Sequence, residues 1–276
     1  MELPRFFGLH AKPGKILSLV LALLPFALLV VVYTIASDAR LSENPNDKLL
    51  PSLSQMYDAF MRMATEPNRR SGDLLLWSDT FASLQRLLIG VGGGAVLGLL
   101  IGLNTAIFPG LRAMSRSFLT FLSIIPPLTI LPILFIAFGV GETAKISLIF
   151  IGTVFVISRD LQLYVLQLPR EQVTKALTLG ASELAVTYRI ILPQIMPRLL
   201  NTTRLTLGGA WLFLIAAEMI SATEGLGYRI GLVRRYLAMD IIIPYVLWIT
   251  LLGFTIDWIL RTIVAKRYPW YQSEKG

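Results

Sequence analysis

The residue patterns that could do chemistry in this chain fail as catalytic sites when their spacing is checked. Gly14-Lys15 follows Gly8 at a distance that suggests a phosphate-binding loop. The gap between the glycines is one residue too long, and Ile16 stands where a Ser or Thr would meet Mg²⁺. Gly90, Gly92 and Ala95 fit a loose dinucleotide fingerprint, but they lie inside an apolar run with no preceding strand. The single His, His10, sits in a polar tail and is expected to be solvated. With no Cys there is neither a disulfide nor a thiolate metal site. No pattern binds ATP, a metal or another cofactor, so any ATP that drives this protein, with its Mg²⁺, must sit on a separate subunit.

What remains are residue types that are costly in an apolar setting. Glu218 lies within the apolar run 212–220. An intramembrane carboxylate marks a transport path or an ion pair, unless it sits at the hydrated outer interface. Pro126, Pro127 and Pro132 interrupt another apolar run. Each removes a backbone donor, and a broken helix at membrane depth survives where protein or a watery cavity satisfies the freed carbonyls. A kinked packing helix is the simpler alternative. Gly90, Gly94, Gly98 and Gly102 recur every four residues and fall on one helix face. Such a face admits close helix packing, within the chain or between subunits. Asp257 and Arg261 stand one helical turn apart and are expected to pair.

The elements that must carry these residues follow from composition. Of 276 residues 55% are hydrophobic and only 15% charged, against about 25% charged in a soluble domain. The charge is missing from long windows, which marks an all-α membrane protein. Six spans are expected, near 16–37, 87–108, 118–138, 145–157 with a few flanking residues, 202–222 and 243–265. Arg159-Asp160 is expected to close the fourth. The run 16–37 is longer than the ~7–15 residues of a signal-peptide core, so it is read as a retained span. The chain then divides into a tail at 1–15, the first span at 16–37, an outer segment at 38–86 with a short amphipathic helix over 49–63, a core at 87–265, and a tail at 266–276. The net charge of +8 lies beside apolar spans, which suits membrane orientation rather than nucleic-acid binding. Counting Lys and Arg gives about 15 inside and about 10 outside when both termini are cytoplasmic. The segment 159–201 is then cytoplasmic.

Within that segment Pro169 can start a helix whose apolar face is Val173, Ala176 and Leu177, and Gly180 can end it. Ser182 can cap a second helix bearing Leu184, Tyr188 and Ile191, with Pro193 ending or bending it. Ala176, Leu177, Gly180, Ala181, Ser182, Ile190, Leu192 and Pro193 match in spacing the "EAA" loop of type I ABC importer permeases: Glu-Ala-Ala, three residues, Gly, nine residues, Ile-x-Leu-Pro. Thr174 and Lys175 stand where Glu and Ala are commonest. The stretches Ser-Ile-Ile-Pro-Pro-Leu at 123–128, through 138–145, and Ala-Ala-Glu-Met-Ile-Ser-Ala-Thr-Glu-Gly-Leu-Gly-Tyr at 216–228 resemble the nitrate/sulfonate/taurine branch of that family. The likeness covers about 75–276.

The resemblance implies the type I ABC importer permease fold with a cytoplasmic coupling helix, in the bacterial inner membrane. It implies a second permease copy, two ATPase subunits that bind ATP and Mg²⁺, and a periplasmic binding protein. Pro126, Pro127 and Glu218 are then expected near one central cavity. A small anion is the implied solute, although Asn44 to Pro51 and Arg235 to Asp240 resemble a subset associated with urea or guanidine. A stand-alone secondary transporter or channel would also suit six spans and a broken helix. It would not need the 169–193 loop.

Overall fold

The computed structural model describes residues 14–45, 47–68 and 72–273; His10, with the rest of 1–13, lies outside them. The chain is nearly all helical. Its helices are α1 (Lys15–Glu43), α2 (Leu53–Thr65), α3 (Leu75–Ile107), α4 (Pro109–Ile124), α5 (Pro127–Phe138) and α6 (Glu142–Gln167). They continue with α7 (Arg170–Thr178), α8 (Glu183–Val186), α9 (Leu192–Ser221), α10 (Leu226–Val233), α11 (Met239–Arg267) and α12 (Pro269–Ser273). Five of the helices are long and apolar enough to cross a membrane, and α4 with α5, bent by 93°, makes a sixth where the pair counts as one span.

Several boundaries depart from the expectation for physical reasons. The second span begins at Leu75, well before 87. Its first turns carry Asp79, Thr80, Ser83 and Arg86, which read as loop by hydropathy yet are all buried. The fourth span does not close at Arg159-Asp160 but runs to Gln167, because Asp160 is neutralised by Arg198 and bonded by Thr202 on α9. Asp257 pairs with Arg204 of α9, at 3.0 Å, instead of with Arg261. Pro193 ends no helix. The Leu192 amide donates to the Thr187 carbonyl in a π turn over Thr187–Ile191, and Pro193, which has no donor to place, lies in the first turn of α9. The helix is therefore continuous from α8 into the span.

The glycine face of α3 lies against α6. A Cβ at Gly90 would stand 2.7 Å from the Ile149 side chain, at Gly94 2.1 Å from Thr153 Oγ1, and at Gly98 2.8 Å from Ile157 Cγ2. At Gly102 it would stand 2.7 Å from the Ser158 carbonyl oxygen. The close approach lets Leu148, Ile149, Ile157 and Leu161 of α6 bury completely. Gly92, on the opposite face, has nothing within 4 Å of a Cβ. Gly102→Ala is therefore expected to destabilise by about 1–3 kcal/mol, since backbone cannot step aside as a side chain can. Gly92→Ala should be neutral or gain up to about 1 kcal/mol from helix propensity. Thermal unfolding of the two variants in detergent separates the cases, and equal melting temperatures would contradict the packing assignment.

Between α1 and α3, α2 is set by a capping box: Gln55 N–H donates to Ser52 Oγ at 3.2 Å and Ser52 N–H to Gln55 Oε1 at 2.9 Å. Its apolar face, Met56, Ala59 and Met63, is buried. The long α1 buries only Ser37, and is tied to the rest by Tyr33 and Ser37 donating to the Pro51 and Leu50 carbonyls.

Candidate functional site

Three clusters carry the residues that chemistry singled out. The first is the helix pair α7–α8. Gly180 N–H donates to Leu177 C=O and Ala181 N–H to Ala176 C=O, each at 3.0 Å. This is a Schellman cap, and it requires the positive φ of 85° seen at Gly180. Ser182 Oγ accepts from the Ala185 amide at 3.2 Å and starts α8. The pair has two sides. Val173, Ala176, Ala181, Ile190 and Leu192 pack with buried Val186, Ile191 and Ile195 on Leu103, Ala106 and Val165, near the C-terminal ends of α3 and α6. Leu177, Leu179, Leu184 and Tyr188 point away and are exposed, Leu179 by 88%. The anticipated face of Leu184, Tyr188 and Ile191 is thus split, because the π turn rotates Ile191 inward. Pro193 is exposed.

The second cluster is the break between α4 and α5. Ile125 and Pro126 are extended, and the Pro126 carbonyl accepts from both the amide and the hydroxyl of Thr129, at 3.0 and 2.7 Å. Pro126 is exposed. The Pro127 ring lies beside α6, within 3.3 Å of where a Gly152 Cβ would be. Arg159 of α6 donates to Ser123 Oγ at 3.2 Å, just before the break.

The third cluster holds Glu218, and hydropathy concealed its partners. Its side chain is fully buried. Its carboxylate accepts from Ser83 Oγ at 2.8 and 2.9 Å, from Arg86 Nη1 at 2.7 Å and from the Gly227 amide at 2.8 Å. Arg86 also pairs with Glu142 and donates to the Glu224 carbonyl, while Lys145 donates to Glu142 at 2.8 Å. One turn earlier on α3, Asp79 accepts from Arg229 Nε at 2.7 Å, from the Gly225 amide at 3.0 Å and from the Tyr245 hydroxyl at 3.2 Å. Ser83 Oγ accepts from the Leu226 amide at 2.8 Å. The α3 face of Asp79, Ser83 and Arg86 therefore holds the first turn of α10. The glycines there are required: a Cβ at Gly225, whose φ is 124°, would lie 2.6 Å from Glu218 Cδ, and one at Gly227 2.6 Å from the Ile215 carbonyl oxygen. Glu218 thus faces α3 and α10, and the Pro126-Pro127 break faces α6. Asp79, Ser83 and Arg86 went unnoticed in the sequence, although their i, i+4, i+7 spacing puts them on one helix face.

A multi-span helical protein, with a broken span and a capped helix pair at one end, is built as a membrane permease. Residues 94–267 match the family described as binding-protein-dependent transport system inner membrane component. The chain belongs to that family, and it is a permease of the ABC importer class. It is 29% identical over 244 residues to the taurine transport system permease protein TauC of Escherichia coli, covering 88% of this chain and 86% of that one. It is 31% identical over 211 residues to the putative aliphatic sulfonates transport permease protein SsuC of the same organism, covering 76% and 77%. It is 31% identical over 198 residues to the bicarbonate transport system permease protein CmpB of Synechococcus elongatus, covering 68% and 71%. Among solved structures it is similar to a chain of the inward-facing MetNI methionine ABC transporter, with a TM-score of 0.60 at 19% identity, over 69% of this chain and 95% of that one. The fold is that of the type I ABC importer permeases.

Proposed function

We propose that this chain is the membrane path of an importer for small organic or inorganic anions, of the sulfonate, taurine or bicarbonate kind. It works as a pair of permeases with two ATPase subunits that hold ATP and Mg²⁺, and takes solute from a periplasmic binding protein. The observation that carries the reading is the two-sided α7–α8 unit. One side is anchored to the bundle, and the other presents Leu177, Leu179, Leu184 and Tyr188 to a partner. An exposed apolar patch on a rigid, capped element suits protein docking. Both termini and this unit lie in the cytoplasm of an inner-membrane protein, and the α4–α5 break lines the path. Glu218 supports that path from behind by fixing α10. The anion reading follows the relatives, whose names specify taurine, aliphatic sulfonates and bicarbonate.

Calorimetry of the cognate binding protein with taurine, ethanesulfonate, bicarbonate, urea and guanidine tests the solute class. Binding of an anion with no heat from urea or guanidine is expected, and the reverse would overturn it. The purified permease should hydrolyse no ATP without its partner. A fully active complex with one permease copy would refute the paired arrangement.

A further inference from the structure

Every half-buried or buried cation inside the long spans α3, α6, α9 and α11 faces a carboxylate, with one exception among the described residues. Arg86 pairs with Glu142 and Glu218, Lys145 with Glu142, Arg198 with Asp160, and Arg204 with Asp257. Arg261 has no such partner, but it is exposed on α11, near that helix's end. Arg159 is the exception: it is half-buried, and its bond is to the neutral hydroxyl of Ser123, at 3.2 Å. The neighbouring Asp160 does not neutralise it, since that carboxylate is turned to Arg198 and Thr202.

Arg159 lies eight residues before the end of α6 at Gln167, about 12 Å inside it. Helical side chains lean toward the N-terminus, which carries this one away from the nearer membrane surface. A cation in that position is costly against hydrocarbon unless water or an anion meets it. Its surroundings are polar. Pro126 and Pro127 withhold the amide donors that a continuous helix would offer to the Leu122 and Ser123 carbonyls. One turn further along α6, Gln162 reaches Ser115 of α4 at 3.4 Å.

We propose that Arg159 is the intramembrane ligand of the transported anion. In the assembled transporter its guanidinium faces the aqueous path at the α4–α5 break and takes the sulfonate or carboxylate oxygens in passing. A planar guanidinium with several donors suits such two-oxygen groups, and a single site of modest strength lets the anion leave again. This inference rests on the anion-importer reading above.

The test uses the full complex in proteoliposomes, with taurine as the probe. Arg159→Gln is expected to lower taurine uptake at least tenfold, while ATP hydrolysis stimulated by the binding protein stays within twofold. Arg159→Lys should fall between Gln and wild type. The melting temperature of Arg159→Gln should not drop, whereas a structural cation would lower it. Arg159→Cys, in a chain with no other cysteine, should react with a water-soluble sulfonate-bearing thiosulfonate reagent, and taurine during turnover should slow the reaction. Wild-type uptake by Arg159→Gln overturns the proposal, as does an Arg159→Cys thiol that stays unreactive in every nucleotide state. If the wild-type complex moves none of taurine, ethanesulfonate or bicarbonate, the anion reading itself has failed and the ligand role falls with it. The thiol reactivity then still reports whether position 159 faces the path.

Discussion

Arg86→Met is expected to cost about 3–5 kcal/mol, a large share of the roughly 5–15 kcal/mol by which a domain stays folded. The substitution leaves the Glu218 carboxylate fully buried with only Ser83 and the Gly227 amide to meet its charge. Glu142 keeps Lys145 and stays partly exposed, so it contributes little to the loss. Glu218→Leu should cost less, because Arg86 keeps Glu142 and the Glu224 carbonyl while the Gly227 and Ser83 donors are freed. The double variant Arg86→Met with Glu218→Leu removes both charges and should recover more than half of the loss. Fluorescence-detected size exclusion, with thermal unfolding in detergent, gives the four corners of the cycle. Additive losses would mean that the pair does not interact, and that Glu218 owes its place in the span to something else. Recovery of folded protein without recovery of uptake would show that the position of α10 matters to transport apart from stability.

Gly180→Val is expected to abolish uptake in protein that still folds and inserts. The left-handed φ at Gly180 costs a non-glycine residue about 1–2 kcal/mol, and a β-branched one more readily leaves it. Nothing lies within 4 Å of a Cβ there, so the effect is one of backbone geometry and not of a clash. Losing the cap releases the Ala176 and Leu177 carbonyls and tilts α7, with Leu177 and Leu179, against α8. The ATPase can still turn over, but its motion no longer reaches the spans. Gly180→Asn, which tolerates the left-handed region, should restore most uptake. The readout is the ratio of solute moved to ATP hydrolysed. An unchanged ratio in Gly180→Val would remove the coupling role from this turn.

The class of architecture was legible along the chain, because the period of hydrophobic residues and the placing of Gly and Pro act locally. Apolar windows located the five long helices and the bent pair, Pro126-Pro127 located the break, and Gly180 with Ser182 located the turn between α7 and α8. The glycine face of α3 was also legible as a packing face, since every fourth residue shares one side of a helix whatever surrounds it. The packed fold decided which surface that face meets, namely α6. It also decided the state of the buried charges. Hydropathy placed Asp79, Ser83 and Arg86 outside the membrane, because a polar residue scores the same whether water or a partner more than 130 positions away satisfies it. For the same reason the sequence named no partner for Glu218, and read Arg159-Asp160 as the end of a helix and Asp257 as the partner of Arg261. Pairing energy depends on distance in space, and the sequence records only distance along the chain.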